Sequence, residues 1–137
     1  MIIGTKMKLT EIKQDSIEAI ICFALYICAQ DKIISDEEYL SLGKKLTSIV
    51  DSDVIVQKVR RTDLKVLISK ISGLILKNKF TNKKMEVVEK GYFESLFKSN
   101  EYKDLALRTA RIAASSDGFH RLEKAKFNFW ADLYLNE

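Results

Sequence analysis

A chain of 137 residues with no proline and only five glycines has few places to turn sharply. Proline presets the φ of turn positions and glycine supplies positive φ, so a sandwich, a barrel or a series of hairpins draws on both between its short strands. This chain lacks that punctuation and is better suited to a few long helices. Its apolar residues agree. Ile17, Ile20, Ile21, Ala24, Leu25 and Cys28 recur at helical spacing, and Phe23 and Ile27 add a second apolar side, which predicts a central helix enclosed by others.

Ser35-Asp36-Glu37-Glu38 reads as a capping box, in which the Ser35 hydroxyl accepts from the Glu38 amide and the Glu38 carboxylate reaches back. The helix it opens runs through Leu42, Leu46, Ile49 and Val50 to a break at residues 51–53. A short piece over 54–59 precedes a helix starting near Thr62 or Asp63, with Leu64, Leu67, Ile68, Ile71, Leu74 and Ile75 on one face. Thr81 caps the next, which turns Met85, Val88, Tyr92, Phe93 and Leu96 inward. Ser99-Asn100 begins another, with Leu105, Ala106, Ala110 and Ala113. The last, roughly Leu122 to Leu135, presents Leu122, Ala125, Phe129, Trp130 and Leu133. The expectation is an all-α single domain over 1–137, a bundle of about six to seven helices, with 1–9 as a loose N-terminal segment.

The opening apolar run breaks after three residues, too soon for the h-region of a secretory signal, and Ala19–Ala29 falls short of the roughly 20 apolar residues that span a bilayer. A cytoplasmic protein is expected. Cys22 and Cys28 sit about 240° apart around one helix, which rules out pairing or a shared metal and makes them small core residues. The net charge of +4 is unevenly spread. Acids outnumber bases six to three over Asp31–Asp53, and bases outnumber acids ten to three over Lys58–Lys90. Such a surface orients an acidic partner protein, a second subunit or, peripherally, an anionic membrane, and equally describes solvated helix faces. The basic stretch with Lys58, Arg60, Arg61, Lys65 and Lys70 lacks the interleaved aromatics of a nucleic-acid surface.

The strings Ala24–Asp31 and Ala110–Asp117 both end a helix in an aspartate, and each aspartate is followed six residues later by a glutamate, Glu37 and Glu123. The spacing predicts two pseudo-symmetric helix–loop–helix units whose small residues (Ala24 and Cys28; Ala106, Ala110 and Ala113) let the incoming helices approach closely. In these loops the chain resembles the TerB-like proteins, related to tellurite-resistance protein B. Members carry a helix ending in small residues, then Asp-Gly, an aliphatic residue and acids opening the next helix. Ala113-Ala114-Ser115-Ser116-Asp117-Gly118 with Glu123 follows that pattern. Ala29-Gln30-Asp31-Lys32-Ile33-Ile34-Ser35-Asp36-Glu37-Glu38 follows it with Lys32 in place of glycine. His120 takes an aliphatic place, and Arg121 and Lys124 replace acids. The resemblance, over roughly 15–135, implies a stress-response setting and a non-enzymatic module that senses a metal ion or assembles a complex.

Four carboxylates, Asp31, Glu37, Asp117 and Glu123, converge if the two units face one another. Like charges held together without a cation raise their pKa values and cost stability, so Ca²⁺ or Mg²⁺ is the expected ion. Acids at helix N-termini are equally served by the dipole and by capping, at about 0.3–1 kcal/mol each. An EF-hand is excluded, because Ile27 and Ala29 would occupy ligand positions 1 and 3 of the first loop. His120 is the sole histidine and is expected to be a partly buried loop residue. There is no phosphate loop, zinc set or nucleophile elbow. The alternatives are a protein-interaction scaffold without metal and a hydrolase that uses a carboxylate-held ion.

Overall fold

The apolar run that opens at Ile17 forms helix α1 (Ile17–Cys28), and every residue in it except Glu18 is buried. Ser16 starts it, accepting a hydrogen bond from the Ala19 amide at 3.1 Å. A 3-10 turn, Ala29–Asp31, ends it. The computed structural model describes residues 8–31, 34–49, 61–78, 87–116, 118 and 120–135, the side chains of 31, 49, 61, 62, 78, 87 and 88 excepted. Five further helices follow: α2 (Asp36–Ile49), α3 (Arg61–Asn78), α4 (Val87–Ser95), α5 (Asn100–Ser115) and α6 (Arg121–Leu135). There is no strand among the described residues.

The bundle is built around α1. Its most extensive interface is with α5, and α3, α6 and α2 also touch it. The small residues of α5 explain the closeness: Ala106, Ala110, Ala113 and Ala114 are all buried, and α5 lies against both α1 and α2. A single continuous set of buried residues draws from all six helices. Each large aliphatic it removes from water is worth about 1.5–3 kcal/mol. The pieces predicted at 51–59 and the Thr81 cap fall outside the described residues, and α4 is described from Val87.

Two expectations change. Residue 9, expected in the loose N-terminal segment, is held: Leu9–Glu11 is a 3-10 turn, Leu9 packs on the core, and its carbonyl accepts the Tyr92 hydroxyl at 3.0 Å. The inward face of α6 is also rotated from the one its aliphatics mark. Leu122, Ala125 and Phe129 are exposed, while Glu123, Trp130 and Tyr134 are buried and Lys126 and Phe127 half-buried. Polar groups take inward places because each has a partner there. Glu123 receives a backbone amide, Lys126 meets Glu89, and the Tyr134 hydroxyl donates to the Phe93 carbonyl at 2.7 Å.

Candidate functional site

Both predicted loops end in the same device. The Ser35 amide donates to Glu38 Oε1 and the His120 amide to Glu123 Oε1, each at 2.9 Å. Ser35 and His120 also accept the first intrahelical bonds of their helices, from Tyr39 and Lys124. Glu38 and Glu123 are almost wholly buried. In the first loop Ser35 completes the box by accepting from the Glu38 amide at 3.1 Å, whereas in the second His120 stands at that place, exposed rather than partly buried. Glu123 therefore corresponds to Glu38, 85 positions earlier, and not to Glu37, because the loop from Asp31 to Ser35 is one residue longer than the loop from Asp117 to His120. Gly118 has φ +116°, a conformation that favours glycine, and its amide donates to the Ser115 carbonyl.

Of the four expected cation ligands, the side chains of two are described. Glu37 is exposed in the first turn of α2, and Glu123 is buried with one oxygen engaged by a backbone amide. Asp117 and the Asp31 side chain lie outside the described residues. Among the described residues no group of three or more His, Cys, Asp or Glu side chains is placed to hold a metal ion. The second unit does reach the first loop, since α6 packs against the Ala29–Asp31 turn.

A second polar constellation lies in the core. The Tyr26 hydroxyl donates to Glu89 Oε2 at 2.7 Å and accepts from the Trp130 ring N–H at 3.1 Å. Lys126 Nζ lies 3.4 Å from the same Glu89 oxygen and 5.8 Å from the centre of the Tyr26 ring. Burial, reinforced by the Glu89 carboxylate, pushes the Tyr26 hydroxyl far above its ordinary range. Phe93 stacks on Tyr26 with ring centres 3.9 Å apart, closing the network off with apolar surface. Every group in it answers another, so it holds α1, α4 and α6 in register.

A groove of about 610 Å³ opens between α2 and α3. The α2 wall is the stripe Asp36, Tyr39, Leu40, Gly43, Lys44 and Thr47. Leu64, Lys65, Ile68, Ser69 and Ser72 form the α3 wall. The Tyr39 and Ser72 hydroxyls bond to one another. From that contact the lining runs forward along α2 to Thr47 and back along α3 to Leu64, as it does between antiparallel helices. Leu40 is 63% exposed, and a Cβ placed on Gly43 would meet nothing within 4 Å among the described residues. Lys44 and Lys65 stand in the half away from the hydroxyl pair, and neither is in an ion pair among the described residues. Sequence reasoning followed Leu42 and Leu46, which are buried, and passed over this parallel stripe. Its signal was a glycine in mid-helix one turn from an unaccounted leucine.

No helix of the described residues is long and apolar enough to cross a membrane. Comparison with protein-family models, curated proteins and solved structures finds no match to this chain, and the TerB-like resemblance stands on the loop residues alone.

Proposed function

We propose that this chain is a non-enzymatic binding module, a TerB-like scaffold that works through the groove between α2 and α3. The observation that carries the reading is the open space above Gly43, flanked by the exposed Leu40 and by Leu64 and Ile68. An apolar trough on a helical bundle is costly to leave in water, and a bound partner recovers that cost. The two carboxylate loops serve as rigid corners, with Glu38 and Glu123 tying down their helix starts.

The test uses an apolar dye, anilinonaphthalene sulfonate, with the wild type and Gly43→Leu. The wild type should enhance the dye's emission, and the leucine should reduce it at least fivefold while leaving the circular dichroism and the Trp130 emission unchanged. Equal enhancement by the two proteins would remove the groove as the working surface.

A further inference from the structure

We infer that the groove's occupant is an amphipathic helix of a partner protein, carrying a three-turn apolar stripe with carboxylates flanking one end. The inference rests on the groove being the binding surface and adds the chemistry of what it takes.

Shape sets the length. From Asp36 to Thr47 the α2 wall advances eleven residues, about 17 Å at helical rise, or three turns. Two antiparallel helices leave a trough between them that a third helix fills, through anchors at i, i+3 or i+4, and i+7. Gly43 is what allows close approach at the middle of the trough, since an open Cβ position there leaves room for a partner's side chain. Leu40 supplies exposed apolar surface on one wall, and the largely buried Leu64 and Ile68 line the base of the other.

Charge sets the sign and the direction. Lys44 and Lys65 are exposed in the same half of the groove, and Asp36 lies at the opposite end. A helix whose carboxylates fall beside Lys44 and Lys65 gains complementary contacts, while one with lysines there meets like charge. The same pattern argues against a second copy of this chain. One exposed apolar stripe of the chain, Leu122, Ala125 and Phe129 on α6, carries Arg121 and Lys124 at its N-terminal end, and these meet like charge when that end lies beside Lys44 and Lys65. The chain's net charge of +4 opposes self-association in the same direction.

The experiment is a selection from a displayed library of 18-residue peptides against the full chain, followed by synthesis of the best binder and of a version with its acids changed to lysine. Enriched peptides should share an i, i+3/i+4, i+7 apolar stripe with Asp or Glu at one end. The lysine version should bind at least tenfold more weakly, Gly43→Leu should abolish binding, and Lys44→Glu with Lys65→Glu should reverse the charge preference. Enrichment of extended or basic sequences, no enrichment at all, or capture of phosphatidylcholine–phosphatidylserine vesicles in preference to any peptide would overturn the inference. So would a concentration-dependent dimer dispersed by Gly43→Leu. If the dye response to Gly43→Leu holds while the selection fails, only the occupant is wrong; if the dye response also fails, the groove itself is.

Discussion

Lys126 illustrates how a single charged side chain is held inside this protein. Its ammonium lies 3.4 Å from Glu89 and over the ring of Tyr26, and both members of the ion pair are nearly enclosed. A buried pair contributes little beyond an apolar substitute, but breaking one side strands the other charge. Lys126→Met should therefore cost on the order of 2–3 kcal/mol. Combining it with Glu89→Gln should recover most of that loss, because the glutamine carbonyl still accepts the Tyr26 hydroxyl. Urea midpoints followed by the emission of Trp130, which is fully buried, would check this, and equal costs for the single and double variants would mean that Lys126 only packs. Asp15 makes a similar point at a backbone position. Its φ of 51° is one that aspartate tolerates better than most residues, and its carboxylate accepts the Lys98 and Ser99 amides just ahead of α5. Asp15→Ala should cost about 1–2 kcal/mol and Asp15→Asn distinctly less, since asparagine keeps an acceptor oxygen and the same tolerance. Identical midpoints for the two variants would assign the whole effect to the negative charge of the carboxylate, which both remove.

At the scale of helices, caps and glycines decide where elements start and how firmly they hold. Ser35→Ala removes an acceptor from the Glu38 amide and should lower stability by about 1 kcal/mol. Gly43→Ala should raise it by about 0.5–1 kcal/mol, because a methyl group there meets no neighbour and the unfolded chain loses freedom. A destabilised Gly43→Ala would mean that the space above it is filled. These same elements show what was legible beforehand. The Ser35 box, the Ser99 start and the enclosed α1 were readable because capping and 3.6-residue periodicity are local, and the structure has all three. The inward face of α6 was not readable. Glu123, Lys126 and Tyr134 turn inward only because His120, Glu89 and Phe93 receive them, and no window along α6 contains Glu89 or Phe93. The equivalence of Glu123 with Glu38 was missed for a related reason. Counting from the aspartates carries an extra loop residue into the alignment, while the helix starts themselves keep a constant spacing. The groove escaped because hydrophobic periodicity marks what a helix buries, and this stripe is an apolar face left open.

Across the whole molecule, the placement of α1 at the centre buries groups that ionise in alkali. Desolvation pushes the Cys22 thiol from its ordinary 9.0 up to about 12, against a small opposing effect of its hydrogen bond with Tyr92. It also carries the Tyr26 and Tyr92 hydroxyls well above 10. In the unfolded chain these groups lose their protons near their ordinary values, and in the fold they keep them. Below about pH 9 both states hold the thiol proton, so these groups make stability independent of pH there. Above it the native state binds more protons than the unfolded one, and stability falls as pH rises, by up to about 1.4 kcal/mol per pH unit for each fully titrating group. Cys22 acts first, from pH 9 toward 12, and the two tyrosines join from 10. Urea midpoints by far-ultraviolet circular dichroism at pH 8, 9, 9.5, 10 and 10.5 would trace the decline. Cys22→Ala should start from a somewhat lower midpoint at pH 8 and then fall more gently than the wild type between 9 and 10, where the thiol titrates in the unfolded chain and the tyrosines act alike in both proteins. Lysine deprotonation affects the two proteins alike and cancels in the difference between their curves. Parallel curves across that window would show that the thiol is not closed off from water, and that α1 opens at Cys22 more readily than its full enclosure requires.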